Sequence, residues 1–412
     1  MAETSLDRGD RAPVVMGGEP GSYARSVLTE RHPALISRVR DAHPYTPAQR
    51  GRLDLLLEEV ASGKVQPLRP EAHDRAAWES WGMDEHTGVP WTHLPFLWAE
   101  SYFYRRLLGA VGYFAPGPWQ GVDPFEPSKS SELRSSDADE EMQALDTVAL
   151  LPSEERDRAL LLSSVWGNRA DLGFALSERG GAPESAHGAP GERGAPGADA
   201  GGAAGEGLVA DESGRLWEQV GDAERVCFVA DNAARELLPD LALIDLMLTS
   251  RRVGSVVLHV KPHPYFVSDA TMADVLAALR RLREAGGEAA ACGGRLREAM
   301  RDGALTVRAH PFSCAPLPYS AMPEDLEADF AASSLTALKG DLNYRRLVGD
   351  RWWDPATPFA EAVGGFPSPV AALRAVKSDT VTGLDPVVAA ELEAGGIGWR
   401  TSGRCAVVQV TG

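Results

Sequence analysis

The hydrophobic rhythm of the chain changes once, near its middle. Between about residues 31 and 177, apolar positions recur at helical spacing. Leu53, Leu55, Leu56, Leu57 and Val60 fall on one stripe of 46–62, 96–111 is aromatic and apolar with Glu100, Arg105 and Arg106 interspersed, and 159–166 is a further apolar helical stretch. No alternating strand pattern occurs there, so this half is predicted to be mainly helical. Beyond residue 207, short apolar runs at 226–230, 255–260, 304–309, 334–338 and 371–376 are separated by helical patterns up to about 249, at 271–285 and near 324–332. Strand and helix in repetition predict parallel βαβ units with helices on both faces of a sheet. The expected fold class is therefore α/β: a helical N-terminal domain over 31–179, then a three-layer αβα domain with a mainly parallel sheet over 208–412.

Two segments stand outside this pattern. Residues 1–30 are polar and read as a loose lead-in. Residues 180–207 hold ten Gly, eight Ala and three Pro and no large apolar side chain, too little to offset chain entropy, so a disordered insertion is expected. Glycines 188, 191, 194 and 197 keep a three-residue period, but four glycines do not build a collagen helix.

Charge and composition narrow the function. There are 41 basic and 59 acidic residues, a net charge of −18, which repels phosphate backbones and argues against a nucleic-acid partner. No apolar run approaches the roughly 18 residues of a membrane span. Residues 1–11 lack the basic and apolar regions of a secretory leader, and Cys227, Cys292, Cys314 and Cys405 keep no CxxC or zinc spacing. A cytoplasmic protein without a disulfide framework is expected. Lysine is scarce: 36 of the basic residues are arginine, and the five lysines are Lys64, Lys129, Lys261, Lys339 and Lys377.

In parallel βαβ sheets, ligands bind beyond the carboxyl ends of the strands. The run 226–230 ends in Asp231-Asn232. The run 255–260 leads through Lys261, His263 and Ser268 to Asp269. The run 334–338 ends in Lys339-Gly340-Asp341-Leu342-Asn343-Tyr344-Arg345, and 371–376 carries Arg374 and ends in Lys377. These clusters supply oxygen ligands (Asp231, Asn232, Asp269, Asp341) and cations (Lys339, Arg345, Arg374, Lys377) to one predicted edge. Oxygen donors suit Mg²⁺ or Mn²⁺, and cations beside such an ion suit phosphate. Without a Walker sequence, this combination points to metal-assisted hydrolysis of a phosphate ester. Taken singly, each element has a blander reading: Asp231-Asn232 and Asp269 as helix caps, Lys377 as a snorkelling surface residue. Pro262 and Pro264 exclude a helical metal pair of His259 and His263.

The strings Asp231-Asn232-Ala233-Ala234-Arg235-Glu236, Lys261-x-x-Pro264-x-Phe266-Val267-Ser268-Asp269, Lys339-Gly340-Asp341-Leu342-Asn343-Tyr344-Arg345 and Arg374-x-x-Lys377 resemble, in order, the motifs of the metal-dependent damage-control phosphatases, in the branch also called acidic-residue methyltransferase-like. In the helical half, Trp98-Ala-Glu100-Ser-Tyr102-Phe-Tyr104-Arg105-Arg106 and Trp166-Gly167-Asn168-Arg169-Ala-Asp171-Leu172 are similar to the family's motifs too. The resemblance covers roughly 30–400. It implies a helical domain packed on an αβα domain, metal ligands at Asp231, Asn232 and Asp269, and a phosphate-contacting Lys377 with Lys339, Asn343 and Arg345 nearby. It also implies Mn²⁺, Co²⁺, Ni²⁺ or Mg²⁺ as metal and a small phosphorylated metabolite, such as a sugar phosphate, as substrate. Glu100 is expected on the substrate's far side. Asp231 and Lys377 are the expected catalytic residues, with attack by metal-activated water or by Asp231 itself.

Two elements depart from the family pattern: Ala234 stands where the signature has glycine, with Arg235 where it usually has an aromatic, and Ala375 stands where Arg-Thr-x-Lys has threonine. A competing expectation is an S-adenosylmethionine-dependent protein-glutamate methyltransferase, an activity also proposed for this branch. It is disfavoured because the turn after 226–230 reads Asp-Asn-Ala-Ala and holds no glycine cradle. A sugar-phosphate-binding regulator is a third, non-enzymatic reading, and recruitment to a specialised biosynthetic pathway a fourth.

Overall fold

Seven strands form one sheet in the order β1-β7-β6-β5-β2-β3-β4 in a computed structural model that describes residues 12–167, 207–250 and 253–412. They are β1 (Gly207–Asp211), β2 (Arg225–Val229), β3 (Ser255–Val260), β4 (Leu305–Ala309), β5 (Leu335–Lys339), β6 (Val370–Ala375) and β7 (Cys405–Val410). β2 to β6 are parallel to one another, whereas β7 runs antiparallel to β6 and carries β1 parallel to itself. The central strands are apolar throughout because both faces are covered. Along β2, Val226 and Phe228 enter one core while Cys227 and Val229 enter the other.

The helices that bear on the site are α1 (Pro47–Ser62), α2 (Phe96–Val111), α3 (Glu126–Leu133), α4 (Ser136–Ala149), α5 (Ser153–Trp166), α6 (Leu237–Thr249), α7 (Met272–Ala285), α8 (Gly287–Asp302) and α9 (Asp341–Val348). The expected α/β class and mainly parallel sheet are present. Three expectations change.

First, α4 and α5 do not join the N-terminal helical core. Met142, Leu145, Leu160, Leu161 and Val165 pack with α6, α7 and α8 against one face of the sheet. An amphipathic stripe shows that a helix has a partner but not which layer supplies it.

Second, residues 12–31 are not loose. Val15, Ala24, Val27 and Leu28 are buried in the helical core. The Val15 N–H donates to the Asp350 carbonyl (2.9 Å), the Phe96 N–H donates to the Val15 carbonyl (2.8 Å), and the Tyr23 N–H donates to the Asp379 carboxylate (3.0 Å).

Third, β1 and β7 are additional strands, and β1 begins at Gly207, inside the span expected to be an insertion. The rest of that span, and Asn168–Leu172, lie outside the described residues.

α2 joins the two halves. Pro95 precedes its first turn, and Gly112, at φ +92°, ends it in the left-handed conformation that glycine tolerates. The helix is buried nearly all round because it lies between two apolar environments. Trp98, Tyr102 and Phe103 enter the helical core, while Leu97 meets Tyr265, Cys314 and Leu342 of the αβα half.

Candidate active site

β2 lies between β3 and β5, so the chain departs from the centre of the sheet in opposite directions on either side of it. This is a topological switch point, where the carboxyl ends of adjacent parallel strands open a crevice. The residues following β2, β3, β5 and β6 all lie on that edge, as expected.

The segment after β3 folds back across the end of β2. The Ala270 N–H donates to the Asp231 carbonyl (2.9 Å), the Ala233 N–H to the Ser268 carbonyl (2.6 Å), and Asn232 and Asp269 form an isolated antiparallel bridge. This sets Asp231, Asn232 and Asp269 side by side. Asp269 is held from two sides: its carboxylate accepts the Phe266 N–H (2.7 Å), and its carbonyl accepts Lys129 Nζ (2.9 Å), which also pairs with Asp123 and Asp274. The Ser268 hydroxyl donates to Asn232 Oδ1 (2.6 Å), and Asn232 Nδ2 donates to Glu236 (2.9 Å).

Gly340 fixes the other wall. A Cβ there would lie 1.8 Å from Asp231 Oδ2, and its φ is +89°. Only glycine lets the end of β5 come this close to the carboxylate.

Asp231 and Asp269 are buried, 6% and 1% exposed, yet among the described residues neither forms an ion pair. Burial, and then Glu236 and Asp269, push the Asp231 carboxyl up to about 8. Buried carboxylates without cationic partners are costly, and a bound cation removes that cost. Two carboxylates and one amide oxygen suit a hard divalent ion that completes its shell with water and substrate oxygen. Among the described residues no three His, Cys, Asp or Glu side chains converge as a cage.

The cations divide into those consumed by the protein and one that is not. Lys339, 1% exposed, donates to Glu236 Oε1 (2.9 Å). Burial opposes the Glu236 charge, but Lys339 and then Lys377 bring its carboxyl down to about 2. Arg345 clasps Asp350 (2.8 and 3.0 Å) and Glu100 (2.7 Å) over the Phe96 ring. Arg374 donates to Asp341 Oδ1 (2.9 Å), the Thr380 carbonyl (2.6 Å) and Ser378 (2.9 Å). Asn343 Nδ2 donates to the Ala230 (3.1 Å) and Lys339 (2.8 Å) carbonyls, and its Oδ1 accepts the Tyr319 hydroxyl (3.0 Å). Lys339, Arg345, Arg374 and Asn343, expected to contact phosphate, are bonded here to protein groups at the same sheet edge. All four are buried.

Asp341 is an anchor as well. Its Oδ1 accepts from Arg374, Ser378 Oγ (3.1 Å) and the Lys377 N–H (3.2 Å). Burial opposes its charge, but Arg374 and Arg345 hold the carboxyl below its ordinary value. The ammonium of Lys377 has no hydrogen-bond or ion-pair partner among the described residues, although Asp341 fixes its backbone and it lies near enough to stabilise Glu236.

Glu100 on α2 meets the site through Arg345, and Tyr104, four residues on, stacks on Phe266 at 4.6 Å between ring centroids. Glu100 gives one oxygen to Arg345, and burial raises its pKa. Sequence reasoning did not assign roles to Lys129 or Lys261. The scarcity of lysine was a usable signal: Lys129 braces Asp269, Lys339 pairs with Glu236, Lys377 lies near enough to stabilise the Glu236 charge, and Lys261, buried, donates to the Ser313 carbonyl (3.2 Å) while its charge reaches Asp231.

The two signature departures are explicable in part. Arg235 pairs with Glu141 (3.0 Å) and Asp137 (2.9 Å) on α4. Ala234 adopts φ +56°, the left-handed region that costs a residue with a Cβ about 1–2 kcal/mol. Its methyl is buried, which offsets part of the relief. Ala234→Gly is therefore expected to raise stability by about 0.5–1 kcal/mol, read as an increase in Tm; a decrease would show that the buried methyl outweighs the strain. Nothing in the structure explains Ala375.

A family model described as the damage-control phosphatase ARMT1-like domain matches residues 27–392. The damage-control phosphatase ARMT1 of Danio rerio is 28% identical over 436 residues, covering 94% of each chain. That of Mus musculus is 28% identical over 439 residues, covering 96% of this chain and 97% of its own, and that of Homo sapiens 27% identical over 446, covering 96% and 98%. A solved structure of a DUF89 family protein from Pyrococcus horikoshii aligns over 93% of this chain and 96% of its own, with a TM-score of 0.48 and 15% identity.

Proposed function

The chain belongs to the damage-control phosphatase ARMT1-like family, and from that premise we propose that this phosphatase hydrolyses a sugar phosphate at the β2–β5 switch point, using a divalent ion held by Asp231, Asn232 and Asp269. One observation carries the reading: two buried carboxylates without an ion-pair partner, Asp231 and Asp269, lie at the same sheet edge as Lys377, whose ammonium has no partner among the described residues. Mn²⁺ is the metal of choice, with Co²⁺, Ni²⁺ and Mg²⁺ as alternatives. Such an ion supplies electrophilic polarisation of the phosphoryl oxygens when bound.

The chain's own residues do the rest. Lys377 neutralises charge that shifts onto the transferring phosphoryl group, acting at low dielectric and at little reorganisation cost because Asp341 already fixes its backbone. Glu236 and Lys339 orient Asn232. Gly340 keeps the Asp231 carboxylate in place and leaves room beside it. The second oxygen of Glu100 has no protein donor among the described residues, so it is free to accept a sugar hydroxyl. No helix among the described residues is long and apolar enough to cross a membrane.

Lys377→Ala is expected to lower kcat/KM by at least ~100-fold, the scale of one lost transition-state electrostatic contact. Lys377→Arg should recover only part of this, because the wider guanidinium crowds a metal-bound phosphate. Metal affinity and Tm should barely change. Near wild-type turnover in Lys377→Ala, measured by steady-state phosphate release, would place the phosphate grip elsewhere.

A further inference from the structure

α2 presents Glu100 to Arg345 and turns a different face, with Arg105, Arg106 and Gly109, toward α1 and residues 67–73. Between them lies a cleft of about 540 Å³. This is within the roughly 300–1,000 Å³ of small-molecule sites. Its walls are apolar: Leu55, Pro67, Phe114 and Pro116 line it, and Leu55 stands 65% exposed at the lip.

The cleft is cationic in a chain of net charge −18. Of its four arginines, Arg105 is taken up by Asp74 (2.6 Å) and Arg106 by Glu59 (2.8 Å). Arg52 spends its Nε on the Ala110 carbonyl (2.8 Å), and neither it nor the exposed Arg69 has a carboxylate partner among the described residues. Glu71 is the one carboxylate on the lining, so the uncompensated balance is 2 − 1 = +1. Arg52 and Arg69 are also close enough to repel: burial, and then Arg69, hold the Arg52 guanidinium below its ordinary value.

Two neighbouring guanidinium groups without ion-pair partners among the described residues, beside an apolar trough, are matched by an anion that brings an apolar body with it. A hydrated inorganic ion leaves the trough wet, and a neutral apolar molecule leaves the like charges opposed. We propose that this cleft binds a small organic anion, an apolar body bearing one carboxylate, sulfonate or phosphate, at a site separate from the phosphatase centre. Arg52 and Arg69 hold the anionic group, and Leu55, Pro67 and Phe114 cover the apolar part.

The test is a fluorescence titration of the full chain with the aromatic sulfonate 8-anilinonaphthalene-1-sulfonate. Wild type is expected to bind one molecule saturably. Arg69→Glu, an exposed change that leaves the fold intact, should weaken binding at least about tenfold, and Arg52→Gln should do likewise with Tm recorded alongside. Decanoate should displace the probe, whereas excess inorganic phosphate with Mn²⁺, directed at the phosphatase centre, should not, and turnover by Arg69→Glu should equal wild type. Equal affinity in folded Arg69→Glu, or displacement of the probe by phosphate, would overturn the assignment.

Discussion

Asp231→Asn is expected to lower kcat/KM for phosphate release by at least ~10³-fold and to abolish metal-dependent stabilisation. The change keeps the size and the hydrogen-bonding shape of the side chain but removes a charge that a divalent ion needs. A lost ligand removes both the polarisation of the phosphoryl oxygens and the neutralisation of their charge, several kcal/mol of barrier lowering. The fold should not suffer. Burial and the neighbouring Glu236 and Asp269 disfavour the ionised carboxylate when no cation is present, so a neutral amide at this position relieves repulsion. The expected signature is therefore split: turnover collapses while the metal-free Tm holds or rises. Saturating Mn²⁺ should raise the Tm of wild type, by the equivalent of about 2.7 kcal/mol at a hundredfold excess over Kd, and leave Asp231→Asn where it was. Calorimetric melts with and without metal, beside initial rates, separate this from simple unfolding. Retained turnover in the variant would remove Asp231 from the metal site.

Arg345→Ala is expected to cost about 3–5 kcal/mol of stability, because it strands two buried carboxylates, Asp350 and Glu100, that Arg345 now holds between 2.7 and 3.0 Å. Against a typical total of about 5–15 kcal/mol this is a large fraction, and Tm should fall by something on the order of 10 °C. The same guanidinium ties α9, which follows β5, to Glu100 on α2, so its loss also loosens the seam between the helical half and the sheet. Glu100→Gln, which keeps a hydrogen-bond acceptor beside Arg345, should cost much less. A drop below about 1 kcal/mol in Arg345→Ala would mean that water enters and solvates the stranded carboxylates, and that the seam is wetter than the packing suggests.

These two residues show what was legible in the sequence. The strand ends were readable because β2, β3, β5 and β6 are short apolar runs that each stop at a polar cluster, and a parallel sheet sends all such clusters to one edge. Asp231, Asn232, Asp269 and Lys377 could be found that way. Arg345, Arg374, Lys339 and Asn343 are at the same edge but are turned inward. A charge in a motif does not reveal its partner, and the partners lie elsewhere in the chain: Asp350 and Glu100 for Arg345, Asp341 for Arg374, Glu236 for Lys339. The placement of α4 and α5 on the sheet was hidden for a similar reason, since an apolar stripe does not name the surface that it covers. The packing of residues 12–31 was masked by their overall polarity, although Val15, Ala24, Val27 and Leu28 are buried among the aromatics of the helical core. The strand β1 starts at the edge of a glycine-rich stretch, where composition outweighs a five-residue pattern.

The central claim is that the oxygen trio at the switch point holds a divalent ion without which the phosphate ester is not cleaved. It is tested most directly by phosphate release from a panel of sugar phosphates, using protein stripped exhaustively by a chelator and then titrated with Mn²⁺. The prediction is that the stripped protein releases phosphate at a background rate and that Mn²⁺ restores turnover saturably, in step with its binding. Undiminished turnover in the stripped protein would contradict it.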